Sequence, residues 1–351
     1  MVRIGIIGLG KISGKHIGEL LKCENARITA VCDIDPVKLK DAGDRLVIPE
    51  SNRFADYRGL IACPDVDAVE ICTPNYLHVP MALDVVRAGK AVEIEKPLST
   101  SYENGVGELA REIAQSDLPA MMCFSYRFMP AVRYAKELID SGRLGKLINV
   151  TVEYLQSGVF IPGRRLEWRF VKEYAGSGTL GDLGVHLIDM TRFLIGDFES
   201  VYAMSNTIVT ERQRLDSDEF SPVLVDDLTG MMAKLKGGVI ANMLFTKCAI
   251  GESNTIKYEL FGTDGIIRFN LNKPNEITLC FASEKRTEGK QETIPVPEKY
   301  RLAQEEAFVK AVSGESTPYF PSVKEGIACQ KILDAAVRSA AEGRVITLGE
   351  N

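Results

Sequence analysis

Residues 2–8, VRIGIIG, form an apolar, β-branched run that ends at glycine, the pattern of a strand buried on both faces of a parallel sheet. GLGKIS follows, and then an amphipathic segment that ends near Lys22. ARITAVCD (26–33), DAVEICTP (67–74) and KAVEIEKP (90–97) predict further strands, with HVPMALDVVRAGK as a helix between the last two. Strands alternating with helices predict parallel βαβ units, and right-handed crossovers make the sheet doubly wound. Beyond residue 125 the period changes. LINVTVEYLQ (147–156) alternates with period two, as does a half-buried strand. Residues 227–247 read as a hairpin turning at Lys236-Gly237-Gly238, and 257–270 as another turning at Thr263-Asp264-Gly265.

The chain has 351 residues, which is long for one hydrophobic core and predicts two domains. A net charge of -6 and a pI of about 5.4 argue against nucleic acid or an anionic membrane as partner. The apolar run at the N-terminus is too short for a membrane span, and no signal-peptide pattern follows it, so a cytoplasmic location is expected. Eight cysteines are scattered without a CxxC, which predicts reduced thiols rather than a zinc knuckle or a redox pair.

Gly8-Leu9-Gly10-Lys11-Ile12-Ser13 nearly fits GxGxxG/A between a predicted strand and a predicted helix. Gly8 suits the tight turn, and Gly10 suits close approach of a pyrophosphate to the helix N-terminus. Ser13 replaces the third glycine and is small enough for helix–strand packing. Asp33 stands at the end of the second strand, where a carboxylate receives the ribose hydroxyls. The cofactor expected is NAD, with NADP disfavoured because Asp33 repels a 2′-phosphate; Lys11 and Lys38 soften that preference.

SGTLGDLGVHLIDM (177–190) sets Asp182, His186 and Asp189 into an apolar segment. If a helix begins near Asp182, then Asp182, His186, Asp189 and Phe193 form one stripe beside an apolar one, and no broad polar face exists. Partly buried carboxylates must be paired or used. Four readings compete: an N-cap at Asp182, a metal site, a satisfied core histidine, and an acid–base pair. His16 and His78 lie on other predicted elements, so no metal is expected.

GIIGLGKIS, CTPNYLH (72–78), EKP (95–97) and GTLGDLGVHLIDM (178–190), with AAVRSAAEGRVITL (335–348), resemble the glucose–fructose oxidoreductase/inositol dehydrogenase (Gfo/Idh/MocA) family over essentially the whole chain. The resemblance implies an α/β protein: an N-terminal Rossmann domain, placed at 1–124, and a C-terminal α+β domain on a large, mostly antiparallel open sheet, placed at 125–351. It implies NAD(P)-dependent chemistry on a sugar, sugar acid or cyclitol, in a homodimer or homotetramer joined through the C-terminal sheet. It favours the acid–base reading, with Lys96, Asp182 and His186 as the catalytic set. Lys96 would polarise the reacting oxygen, His186 would take the hydroxyl proton, and Asp182 would hydrogen-bond substrate.

The cofactor residues so implied are Gly8, Gly10, Lys11, Ile12, Asp33, Thr73, Pro74, Asn75, His78, Glu95 and Lys96. For the substrate they are Lys96, Tyr126, Arg127, Gln156, Trp168, Arg169, Asp182 and His186. Convergence of Arg164, Arg165, Trp168 and Arg169 would favour an acidic sugar; the alternative is a solvated basic loop. His78 has a second reading as a helix cap. Asp189 lies on the same stripe one turn deeper than His186, where it could orient the imidazole; its role and that of Glu93 are left unassigned. Two other function classes stay open: a glycosidase that uses bound NAD transiently, and a non-catalytic sugar- or dinucleotide-binding regulator.

Overall fold

The computed structural model describes residues 1–283 and 289–349. The chain divides into two compact units, Met1–Cys123 with Leu302–Ala328, and Phe124–Arg301 with Cys329–Asn351.

In the first unit, strands β1 (Val2–Ile7), β2 (Ala26–Cys32), β3 (Arg53–Phe54), β4 (Ala68–Ile71), β5 (Ala91–Ile94) and β6 (Ala120–Met122) form one sheet in the order β3-β2-β1-β4-β5-β6. Every pairing is parallel. Helices α1 (Lys11–Leu20), α2 (Pro36–Arg45), α3 (Tyr57–Ala62), α4 (His78–Arg87) and α5 (Val106–Ala114) supply the crossovers. The strands are buried on both faces, which is why they read as continuous apolar runs rather than alternating ones.

In the second unit, β7 (Leu147–Leu155), β8 (Phe198–Asn206), β11 (Leu228–Leu235), β12 (Ile240–Thr246), β13 (Thr255–Gly262), β14 (Gly265–Asn270), β15 (Glu276–Ala282), β16 (Gly289–Pro295) and β17 (Ile346–Thr347) make a nine-stranded sheet. Its order is β16-β15-β14-β13-β7-β12-β11-β8-β17, and only the β7–β12 pairing is parallel. A short ribbon, β9 (Glu211–Gln213) with β10 (Phe220–Pro222), stands apart from it. Val150, Val152 and Tyr154 of β7, with Ala241, Met243 and Phe245 of β12, bury the face turned towards the helices. Those helices include α6 (Pro130–Asp140), the single turn α7 (Lys172–Ala175) and α8 (Val185–Leu194). Both predicted hairpins form, and Gly237 and Gly238 adopt φ of 85° and 84° at the first turn.

The last helices are α9 (Gln304–Val312) and α10 (Val323–Glu342). The segment Leu302–Ala328, expected in the second domain, belongs to the first unit. Phe308 and Val309 of α9 bury in the same apolar cluster as Ile17, Leu20 and Met121. An amphipathic helix follows the core that covers its apolar stripe, and residue order does not reveal which core that is. Among the described residues no helix is long and apolar enough to cross a membrane.

Candidate active site

The Gly-rich turn of the first unit is built from β1 into α1. Gly8 adopts φ of 89°, and a Cβ there would lie 2.8 Å from the Cys72 carbonyl oxygen, so only glycine fits. Asp33 holds the turn: its Oδ2 accepts from the Leu9 N–H at 2.7 Å, and its Oδ1 accepts from the Asp35 N–H at 2.8 Å. Helix α1 has no side-chain cap and no acid in its first turn, and a Cβ on Gly10 would meet nothing within 4 Å. Unsatisfied N–H groups, a helix dipole and open space beside Gly10 fit a dinucleotide pyrophosphate. Ser13 is buried and donates to the Gly10 carbonyl at 2.7 Å, doing locally what a third glycine does by absence.

At the end of β4, Thr73, Pro74 and Asn75 lead into α4. His78 is fully buried, and its ring bridges the Pro97 and Thr73 carbonyls at 2.8 and 2.9 Å. Burial lowers its pKa against the opposing pull of those carbonyls. His78 therefore ties the strand-end loops together and does not cap α4, since it is already that helix's first residue. Glu95 follows β5; its Oε2 accepts from the Lys96 backbone N–H at 3.1 Å, and its Oε1 lies 2.9 Å from His16 Nε2.

In the second unit the expected single helix from Asp182 is two pieces. Leu180–Gly184 is a π-turn and α8 begins at Val185. The wider turn takes Asp182 out of strict i, i+4 phase with His186. Asp182 is not the cap. Asp226 performs that task from the lead-in to β11, accepting from the Gly178 and Leu180 N–H groups at 2.7 and 2.8 Å. Gly178 packs against it so tightly that a Cβ would lie 2.0 Å from the Asp226 carbonyl oxygen. A Cβ on Gly184 would lie 3.1 Å from the Phe245 ring and from Leu180, a milder contact, so both glycines pack within the protein.

Asp182 Oδ2 pairs with Lys247 Nζ at 2.9 Å. Lys247 is buried, sits just past β12, and was not singled out in the sequence. The His186 ring lies edge-on to Tyr126, with centroids 4.6 Å apart. Tyr126 and Tyr154 hydroxyls are 2.6 Å apart, and Tyr154 donates to Asn254 Oδ1 at 2.8 Å. Gln156 donates to the same oxygen at 2.7 Å. Burial, and then the Tyr126 neighbour, raise the Tyr154 pKa, so its phenol stays neutral. Tyr126, Gln156, Asp182 and His186 thus share one polar cluster, to which the structure adds Tyr154, Lys247 and Asn254.

The other expected substrate residues behave differently. Arg127 forms a buried fork on Asp189, at 2.8 Å to Oδ2 and 2.5 Å to Oδ1. Asp189 therefore receives the Arg127 guanidinium, a partner the sequence pattern did not supply. Arg164 engages Glu167 and the Gly158 carbonyl, and Arg165 donates to the Arg214 and Leu215 carbonyls. Arg169 stacks over the Trp168 ring at 4.3 Å. The basic loop is tied into its own surroundings.

An all-parallel sheet in the order 3-2-1-4-5-6, with an uncapped helix behind a glycine turn, defines a dinucleotide-binding domain. Residues 2–121 match the oxidoreductase family with an NAD-binding Rossmann fold, and residues 132–268 match the GFO/IDH/MocA C-terminal domain. The chain belongs to the Gfo/Idh/MocA oxidoreductase family. It is 33% identical over 322 residues to levoglucosan dehydrogenase of Pseudarthrobacter phenanthrenivorans, covering 83% of this chain and 82% of that one. It is 30% identical over 280 residues to glucose-6-phosphate 3-dehydrogenase of Bacillus subtilis, covering 78% and 76%. A solved structure of levoglucosan dehydrogenase in complex with NADH and levoglucosan superimposes with a TM-score of 0.89 at 29% identity, over 99% and 100% of the two chains.

Proposed function

We propose that the protein is an NAD-dependent dehydrogenase of a neutral sugar or cyclitol. The observation that carries this is the polar cluster of the second unit, in a chain whose first unit is an NAD-binding fold. Tyr126, Tyr154, Gln156 and Asn254 offer hydroxyl and amide groups, which suit the hydroxyls of a polyol. Of the cations expected near them, Arg165 is held by backbone carbonyls and Arg169 lies on the Trp168 ring, and the others are paired: Lys247 with Asp182, Arg127 with Asp189, and Arg164 with Glu167. A phosphate or carboxylate on the substrate would need a cation released from such a pair. That distinguishes this reading from an acidic sugar, although one relative is named for a sugar phosphate. The levoglucosan and NADH held by the solved relative support the neutral class.

Gly8, Gly10, Lys11, Ile12, Asp33, Thr73, Pro74, Asn75 and Glu95 are the residues proposed to hold the cofactor. NAD, when bound, supplies the hydride acceptor. The protein's own groups then manage the proton. His186 accepts it from the reacting hydroxyl, Lys96 polarises that oxygen, and Asp182 accepts a hydrogen bond from a substrate hydroxyl while Lys247 balances its charge. The test is absorbance of reduced nicotinamide with NAD and levoglucosan, myo-inositol, glucose, glucose 6-phosphate and glucuronate. Neutral substrates are expected to turn over best. Preference for the charged sugars would overturn the neutral class, and turnover of aryl glycosides without NADH would overturn the dehydrogenase.

A further inference from the structure

The first unit holds a second set of ionisable groups that the proposed reaction does not use. Glu70 and Glu93 occupy paired positions on β4 and β5, and both are fully buried. His16 of α1 lies against them, with Glu305 and Gln304 of α9 and the thiols of Cys72 and Cys123. On α1 itself, the charges of Lys15 and Glu19 act on Glu305.

The hydrogen bonds divide these groups unequally. Among the described residues no donor reaches either oxygen of Glu70. Glu93 Oε1 accepts from Gln304 Nε2 at 2.8 Å and from the Cys123 thiol at 3.5 Å, while its Oε2 has no donor. A buried carboxylate with no donor is far costlier than a neutral acid, so Glu70 keeps its proton, and Glu93, its register partner on β5, has Oε2 as the acceptor left over. His16 has three acidic side chains around it: Glu95 at 2.9 Å from Nε2, and Glu305 and the protonated Glu70 at 3.4 and 3.5 Å from Nδ1, which makes no hydrogen bond to a described residue.

We propose that His16 is a positioning residue that stands as an imidazolium, gripping the Glu95 oxygen opposite the one that holds the Lys96 backbone, while Glu70 and Glu93 share a proton beneath it. The chain of contacts is short. His16 fixes Glu95 Oε1, Glu95 Oε2 fixes the Lys96 N–H, and the Lys96 side chain leaves from that fixed main chain. Burial opposes the His16 cation, but the Glu95 hydrogen bond and the charges of Glu95, Glu93 and Glu305 outweigh it, raising the pKa to about 9. The charge state rests on the acidic groups at both His16 nitrogens and not on any role of Lys96; the catalytic consequence rests on the role proposed for Lys96.

The chain has only three histidines, so the charge state can be read directly. Long-range 1H–15N imidazole spectra of the full chain, labelled at histidine, are recorded across the neutral and mildly alkaline range. The His16 and His186 signals are assigned with H16Q and H186N. One imidazole, missing from H16Q, should keep both nitrogens protonated at about pH 8. A neutral His16 at that pH overturns the proposal. So does one equivalent of a divalent metal in the purified protein that E70Q abolishes, since His16, Glu70 and Cys72 also present ligand atoms within 4.8 Å of one another. In steady-state assays H16Q should lower kcat by about 10- to 100-fold with KM little changed, the signature of a displaced acid–base group. Wild-type kcat in H16Q overturns the positioning role. Should H16Q not fold, the wild-type spectrum still decides the charge state, and E95Q takes its place in the kcat measurement. A protein with no turnover on any sugar but a protonated His16 would count against the proposed dehydrogenase and not against the imidazolium.

Discussion

Arg127→Met separates a structural guanidinium from a substrate-binding one. Arg127 and Asp189 are both at least 95% buried, meet through two hydrogen bonds, and Arg127 also lies over the Phe193 ring at 5.0 Å. Removing the arginine strands a carboxylate that burial does not let water reach, a loss of about 3–5 kcal/mol. At roughly 2–4 °C per kcal/mol for a domain of this size, the melting temperature should fall by about 10 °C. Arg127→Lys should recover little, because one ammonium does not reproduce the planar fork. The double variant R127M/D189L removes both charges and should regain most of the stability, since apolar replacement of a buried pair is often neutral. Thermal and urea unfolding of the wild type, R127M, D189L and R127M/D189L give the cycle, and KM for the best sugar is measured alongside. If R127M unfolds like the wild type while KM rises tenfold or more, the guanidinium contacts substrate and the argument from its burial fails.

Four shorter predictions follow from the two units. Lys96→Ala and His186→Ala should each reduce kcat by at least ~100-fold, and single-turnover kinetics should place the loss before product release. Lys247→Met should lower kcat/KM by roughly 10- to 100-fold with partial rescue by arginine; an unchanged value would separate Asp182 from substrate. Asp33→Ala should weaken NAD binding by about tenfold or more in calorimetry, because it loses both the Leu9 N–H grip and the proposed ribose acceptor; NAD binding as tight as the wild type's or tighter would refute that. The folded His16 pKa, about 9 against 6.5 unfolded, gives stability that is fully present below pH 6.5 and lost as pH rises through 9. That window is worth roughly 3 kcal/mol, and Glu70 and Glu93, also raised by burial, act in the same direction. The melting temperature should therefore fall by about 5 °C or more between pH 6.5 and 9.5, and less in H16Q.

Local signals carried much of the fold. Apolar runs closed by glycine, and glycine pairs between alternating segments, depend on near neighbours in sequence, so β1, β2, β5 and both hairpins were legible. Partners supplied from a distance were not. The π-turn at Leu180–Gly184 is held by Asp226, 46 to 48 residues away, and the partner of Asp182 is a lysine from the end of β12. Nothing in GDLGVH states that either will arrive. The register that sets Glu70 beside Glu93 is likewise a property of two strands joined through α4. Glu93 looked unexplained because its parity pointed inwards and its company lay on α1, β4 and α9.

The three histidines show how environment, rather than residue type, decides function. His78 meets two backbone carbonyls, and burial keeps it from charging; it braces loops. His16 meets carboxylates at both nitrogens, which favours a fixed cation and makes it a poor proton carrier near neutral pH. His186 is flanked by the Tyr126 ring, with the Asp182–Lys247 pair on the preceding turn. A general base must gain and lose its proton within the working pH range. Neither a brace between carbonyls nor a cation held among glutamates meets that requirement, which is the ground for the role proposed for His186.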